Sequence, residues 1–225
     1  MERSALLEVL AETIVGVVGP HPIRVAIDGV DGVGKTSLAD ELVEPLDRRG
    51  RPVIRASVDG FHHPRGVRYR RGRHSPEGYF WDSFNYEALI DVLLNPLGPD
   101  GSRRYRRRIF DYRTDAEVST PFEEAAPNAV LLFDGVFLLR PELAARWEIS
   151  FFLDAPFTVT IPRMAARDGG SADASAAENR RYIEGQQLYL KQCDPKRAAS
   201  LVINNENLMA PKISGASPRP DPRRT

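Results

Sequence analysis

The stretch Ile23-Arg24-Val25-Ala26-Ile27-Asp28-Gly29-Val30-Asp31-Gly32-Val33-Gly34-Lys35-Thr36 decides how the rest of the chain is read. Its first five residues form a short, mostly β-branched apolar run of the kind that makes a buried strand. The run stops at Asp28-Gly29, and Gly29 to Thr36 match the spacing G-x-x-x-x-G-K-[ST] of a phosphate-binding loop. Thr36 to Arg49 then takes up helical periodicity. Strand, glycine-rich turn and helix are the context such a loop requires. Glycines let backbone N–H groups converge on phosphate oxygens, and the helix N-terminus adds partial positive charge. Gly29, Val30, Asp31, Gly32, Val33, Gly34, Lys35, Thr36 and Ser37 are therefore the expected nucleotide-binding residues. Lys35 would neutralise the β- and γ-phosphates of a nucleotide, and the Thr36 hydroxyl would ligate Mg²⁺.

Lys35 stands out for a second reason. The 225 residues carry 31 Lys plus Arg against 31 Asp plus Glu, yet only Lys35, Lys191, Lys196 and Lys212 are lysines. A tight phosphate cradle suits a compact ammonium better than a planar guanidinium, which accounts for a lysine here in an arginine-rich chain. The balanced charge argues against attachment to nucleic acid or membrane by bulk electrostatics. With 42% hydrophobic and 28% charged residues, the composition is that of a globular protein. The lone Cys193 has no partner for an internal disulfide, and His62, His63 and His74 lack a zinc-binding spacing. No apolar run approaches the roughly 18 residues of a membrane span and the N-terminus lacks a signal-peptide core, so the expected location is the cytoplasm.

Outward from the loop, the same pattern recurs. Leu6, Leu7, Leu10 and Ile14 predict an amphipathic helix over Met1 to Val15, ended by Pro20 and Pro22. Downstream, Pro52 to Val58 reads as a strand, Phe84 to Leu94 as a helix, and Ala129 to Phe133 as an apolar strand ending in Asp134-Gly135. Ile149 to Leu153 and Leu201 to Ile203 add two strands. Short apolar strands separated by helices predict an α/β fold: a doubly wound, mostly parallel sheet flanked by helices, with ligands at the carboxyl ends of the strands. The expected organisation is one domain over residues 1–208, with an irregular Arg-, Gly- and Pro-rich insertion over 61–113 on the substrate side. Residues 209–225, rich in Pro and Arg, are expected to form a disordered tail.

Two carboxylates end strands where chemistry is expected. Asp134 would face the loop and hold Mg²⁺ directly or through water. Asp59, in Ser57-Val58-Asp59-Gly60-Phe61-His62, is placed to accept the proton of a substrate hydroxyl as it attacks the γ-phosphate.

Over most of residues 23–208 these features resemble the P-loop small-molecule kinases comprising uridine kinase, phosphoribulokinase and pantothenate kinase, and are most like uridine kinase. The resemblance implies an ATP- and Mg²⁺-dependent phosphotransferase acting on an alcohol group. Ser57 to His62 is similar to the family's S-x-D-x-F-Y, which gives Asp59 the role of catalytic base. Asp134-Gly135 is similar to the family's Glu-Gly, with the shorter Asp in place of Glu. Arg163-Met164-Ala165-Ala166-Arg167-Asp168 resembles a lid pattern R-x-x-R-D with one extra residue, so both Arg163 and Arg167 are catalytic candidates in a lid over 163–180. Leu201 to Asn205 resembles the closing strand beside the adenine, which implies a nucleotide contact for Asn204.

On the acceptor side the likeness thins. Phe110-Asp111-Tyr112-Arg113-Thr114-Asp115 is similar to a Tyr-Asp-Phe…His segment that reads the pyrimidine, but has neither the leading Tyr nor the His. His74 to Phe84 loosely resembles a ribose-contacting D-H-P-D-A-F-D segment, which makes Asp82 a candidate for holding substrate hydroxyls. Phe110, Tyr112 and Asp115 complete the implied substrate-binding set, and Tyr79 and Trp81 serve either as stacking rings or as core. The expected acceptor is a nucleoside such as uridine or cytidine. A thymidylate-like or pantothenate-type kinase and a non-catalytic nucleotide-binding switch stand as alternatives, although the D-R-[YH] and [NT]-K-x-D signatures are missing. The cluster Arg103, Arg104, Arg106, Arg107 and Arg108 suits a phosphorylated ligand, an RNA contact or a solvated face, zero net charge speaks against nucleic acid, and a homo-oligomer is left open.

Overall fold

In the computed structural model, which describes residues 1–216, the expected apolar runs stand side by side in one sheet. Helix α1 (Arg3–Val15) leads into β1 (Ile23–Gly29), followed by α2 (Lys35–Glu41), α3 (Val43–Asp47) and β2 (Val53–Ser57). A 3₁₀ turn, Val58–Phe61, opens the insertion, which holds α4 (Arg65–Arg68), α5 (Pro76–Asp82) and α6 (Tyr86–Leu89). It also holds the two-residue strands β3 (Arg104–Tyr105), β4 (Phe110–Asp111), β5 (Ala116–Glu117) and β6 (Glu123–Glu124). The chain returns to the sheet through β7 (Val130–Gly135), α7 (Pro141–Ala144) and β8 (Ile149–Asp154). It closes with α8 (Phe157–Asp168), α9 (Arg180–Cys193), α10 (Pro195–Ala198), β9 (Leu201–Asn204) and β10 (Lys212–Ala216). The strand order is β10-β9-β8-β1-β7-β2, parallel throughout except for antiparallel β10.

The alternation of side chains along each strand divides the interior into two cores. Val25 and Ile27 of β1, Val130 and Leu132 of β7, and Phe151 and Leu153 of β8 face Leu6, Leu10 and Ile14 of α1 and Leu38 of α2. Ala26, Leu131, Phe133 and Phe152 point the other way, toward Phe61, Phe80, Phe84 and Leu93 of the insertion. Burial on both faces is why these strands read as continuous apolar runs. The exception, Arg24, is buried in β1 and paired with Glu148 at 2.5 Å, and it donates to the Leu94 carbonyl at 3.0 Å.

Two expectations are corrected. The helix expected over Thr36 to Arg49 is interrupted at Leu42, between α2 and α3. Pro45 has no N–H to bond the Glu41 carbonyl, so the helical ladder breaks one turn ahead of it. The disordered tail expected from residue 209 also starts too early. Lys212 pairs with Asn204 and Ile213 with Ile203 across an antiparallel ladder, with a bulge before Gly215. The open edge of β9 offers backbone partners that composition does not register. Residues 217–225 lie outside the described part. Among the described residues no helix is long and apolar enough to cross a membrane.

Parallel register gathers the strand ends. Ile27 stands opposite Asp134 and Asp28 opposite Gly135 across β1 and β7, while Ser57 stands opposite Asp134 across β2 and β7. The glycine loop, Asp134 and the turn carrying Asp59 therefore meet at the carboxyl ends of the strands.

Candidate active site

The loop between β1 and α2 needs left-handed backbone at Gly32 (φ 74°) and Gly34 (φ 98°). A Cβ on Gly32 would stand 2.1 Å from the Thr160 carbonyl oxygen, so a side chain is excluded there by α8 as well as by φ. Lys35 Nζ donates to the Val30 carbonyl at 2.8 Å, which holds the ammonium over the loop it completes. Three outside groups grip the loop. Gln186 Oε1 accepts from the Asp31 amide at 2.6 Å, the Tyr79 hydroxyl donates to Asp31 Oδ2 at 2.7 Å, and Asn205 Nδ2 donates to the Val33 carbonyl at 2.7 Å. Beneath the loop, the fully buried Asp28 accepts from the Gly29 amide at 2.7 Å, the Leu139 amide at 3.3 Å and the Tyr189 hydroxyl. Burial pushes its carboxyl up to about 6 despite those hydrogen bonds and the nearby Lys35.

The Thr36 hydroxyl, at the first turn of α2, donates to Asp134 Oδ2 at 2.7 Å. Arg55 Nη2 donates to the other oxygen, Oδ1, at 3.0 Å. A hydroxyl and a buried carboxylate side by side form a hard oxygen donor set that would suit Mg²⁺. The glycine cradle beside them fits a polyphosphate.

Asp59 follows β2 in the 3₁₀ turn, its amide donating to Ser57 Oγ at 3.4 Å. Protein crowds this carboxylate, and the resulting desolvation raises its pKa to about 6, with Asp31 and Asp134 pushing the same way and Lys35 and Arg167 opposing. Water reaches it through the cleft mouth and moderates the desolvation, while the two neighbouring carboxylates act regardless. The cleft holds about 590 Å³ and is lined by the loop, Asp59, Asp134 and Arg167. Its far wall carries His62, Phe84 and Tyr112, with the His62 ring 4.5 Å from Phe84 and 5.0 Å from Tyr112. Burial, with help from Arg68, lowers the His62 pKa to about 3, so the ring is neutral.

The structure brings Lys35, Thr36, Asp59, Asp134, Arg167 and Tyr112 to this cleft and sends other expected site residues elsewhere. Arg163 lies one turn before Arg167 on α8 and donates to the carbonyls of Asn205 (3.1 Å) and Glu206 (2.5 Å), outside the cleft lining. Arg167 is held by Asp168 at 2.7 Å. Asn204 does not touch the loop; its Oδ1 accepts from the Glu206 amide at 3.1 Å, and the neighbouring Asn205 makes the loop contact because alternate strand residues face opposite ways. Asp82 is enclosed and bound by Arg70 and, at 2.8 Å, by Arg71, so its carboxylate is already neutralised and is not on the cleft. Burial alone would raise its pKa, but the two guanidinium groups hold it below the usual carboxylate value. Phe110 is buried in the core, and Asp115 accepts from the Arg65 amide at 2.9 Å and from Arg68 Nη2 at 3.1 Å; neither lines the cleft. Asn205, Tyr79 and Gln186 were not legible as loop partners, since each sits on an element distant in sequence.

No family profile matches the chain. The curated uridine kinase of Leuconostoc citreum (strain KM20) is 25% identical over 203 residues, 85% of this chain and 92% of that protein. A possible uridine kinase from Bacillus stearothermophilus superposes with a TM-score of 0.71 at 23% identity, over 90% of this chain and 99% of that one. A proposed fructose transport system kinase from Silicibacter sp. TM1040 has a TM-score of 0.67 at 24% identity, covering 83% and 94%. Phosphoribulokinase from Rhodobacter spheroides has a TM-score of 0.56 at 15% identity, covering 82% and 70%.

Proposed function

We propose that this chain, 25% identical to a curated uridine kinase and similar in fold to P-loop kinases, is a kinase that transfers the γ-phosphoryl group of Mg-ATP to a hydroxyl of a small molecule, with Asp59 as the base. The observation that supports it best is the 2.7 Å contact of Thr36 with Asp134 beside a carboxylate, Asp59, open to the same cleft. Asp59 takes the proton of the attacking hydroxyl. The acceptor oxygen forms the new bond to phosphorus as the bond from phosphorus to the bridging oxygen breaks, and ADP leaves with that electron pair. Lys35 and Arg167 offset charge on the transferring group. Thr36 and Asp134 would hold Mg²⁺, which when bound stabilises the phosphoryl oxygens as a Lewis acid. Arg167, Asp168, Gly169, Gly170, Glu178 and Asn179 line the cleft together with Asp59, and in this reading the segment 163–180 acts as the cover that excludes water.

The likeness to uridine kinase makes uridine and cytidine the first acceptors to try, and His62, Phe84 and Tyr112 offer rings for a flat group. The test is ADP release from Mg-ATP with a panel of nucleosides, nucleoside monophosphates, pantothenate and sugar phosphates. Release that depends on one acceptor class supports the kinase and names its substrate. Release independent of every acceptor, or none, favours a nucleotide-binding switch.

A further inference from the structure

We propose that the acceptor half of the cleft is an anion subsite built on Arg181, so that the alcohol phosphorylated carries a phosphate or carboxylate group. The proposal rests on the kinase reading above and replaces its uncharged nucleoside acceptor with an anionic one.

Four arginines are buried among the described residues: Arg24, Arg68, Arg140 and Arg181. Arg24 is paired with Glu148 at 2.5 Å, Arg68 with Asp115 at 3.1 Å and Arg140 with Glu142 at 2.9 Å. Arg181 has no carboxylate within ion-pair distance among the described residues, although it is only 7% exposed. Its hydrogen bond goes to a neutral group, the Arg73 carbonyl. A buried cation without a counter-charge is unfavourable, and an anion bound from the cleft would supply the missing charge.

The surroundings fit that anion. Arg181 lines the cleft and stacks over the Tyr69 ring at 5.0 Å and the Tyr79 ring at 5.6 Å. Arg68 approaches the same Tyr69 ring at 5.4 Å, also lines the cleft, and has a buried Nε with no hydrogen-bond partner. Arg73, exposed on the cleft wall, adds a third guanidinium with no carboxylate partner among the described residues. The acidic side chains of the cleft are engaged elsewhere. Asp31 holds Tyr79, Asp134 holds Thr36 and Arg55, Asp168 holds Arg167, and Glu178 accepts from the Ser171 amide. Asp59 is left for the proton. Planar forks of this kind match phosphate and carboxylate in a way that no group of uridine or cytidine can reproduce.

The test fills the phosphate loop first, with Mg²⁺ and a non-hydrolysable ATP analogue, so that the added anion cannot bind there. Calorimetry then compares compounds of one carbon frame: glycerol, D-glycerate and glycerol 3-phosphate, and ribose with ribose 5-phosphate, alongside uridine. At least one charged member is expected to bind at least about tenfold tighter than its neutral counterpart, and phosphate against carboxylate identifies the source. Arg181→Gln is expected to weaken that anion about 10- to 100-fold while the affinity for the Mg-nucleotide is kept. Arg73→Gln, at an exposed site that folding does not depend on, is expected to weaken it about three- to tenfold. Equal binding of charged and neutral partners, or anion affinity untouched in both variants, overturns the proposal. Turnover of uridine alone overturns it while the kinase reading stands. Anion binding without turnover of any acceptor keeps the subsite and removes the kinase reading.

Discussion

In the proposed reaction Asp59 takes the substrate proton, and its ionisation offers a quantitative test. With its pKa at about 6, the ionised fraction falls from about 0.9 at pH 7 to about 0.1 at pH 5, roughly a tenfold loss of available base. A carboxyl at its ordinary value of about 3.9 would lose less than about 10% over the same interval. The kcat/KM of the protein, which follows the base of the free enzyme, is therefore expected to drop about tenfold from pH 7 to pH 5, measured as ADP release at subsaturating Mg-ATP and acceptor. Asp59→Asn removes the base, and a rate loss of about 10²- to 10⁴-fold is expected, with what remains flat across that pH range. Carboxylate ¹³C resonances, compared between the protein and Asp59→Asn, follow the same titration without any acceptor. Asp31 is one of the carboxylates that raise the Asp59 pKa, so Asp31→Asn should move the acid limb to lower pH. Near-normal kcat in Asp59→Asn, or a rate that does not change between pH 7 and pH 5, would refute the reasoning.

Thr36→Val removes the hydroxyl that Asp134 accepts from, and Mg-dependent ATP affinity should fall at least about tenfold while Mg-free nucleotide binding holds, by calorimetry with and without the metal. Gly32→Ala adds a Cβ 2.1 Å from the Thr160 carbonyl at a φ of 74°; the loop must shift, and nucleotide affinity should fall by at least about tenfold with the circular dichroism spectrum preserved. Asp28 has a folded pKa of about 6, above its ordinary value, so the folded state is favoured by protonation, and that stability is lost as pH rises from about 4 through about 6. Urea unfolding of Asp28→Asn against the parent protein should therefore shift in the variant's favour by about 2–3 kcal/mol between pH 4 and pH 8, and a pH-independent difference would count against the buried charge.

Local structure was legible where one short segment contains both the signal and its context. Ile23 to Thr36 carries a strand, a turn and a helix start in order, so the loop, Lys35 and Thr36 follow from spacing. Asp59 and Asp134 were readable because each ends an apolar run, and parallel strands bring their carboxyl ends together. Legibility fails where a side chain has two credible partners. Asp82 looks free for a substrate hydroxyl in the sequence, but Arg70 and Arg71 take both its oxygens. Arg163 and Arg167 are equivalent by motif, and the pitch of α8 sends one to the loop after β9 and the other to the cleft. The end of β9 shows the same limit, since a one-residue step separates Asn204 from the loop contact made by Asn205.

The sequence by itself determined the five parallel strands, the phosphate loop and the strand-end positions of the carboxylates, because these depend on periodicity and on neighbours within a few residues. The tertiary structure alone decided which charges are already spent. Asp115 faces Arg68 across 47 positions and Glu148 faces Arg24 across 124, whereas Arg181 meets no carboxylate among the described residues and donates to the carbonyl of Arg73, 108 positions away. Charge compensation acts over a few ångströms of space and is indifferent to distance along the chain, so which buried arginine lacks a carboxylate partner becomes visible only once the chain is folded.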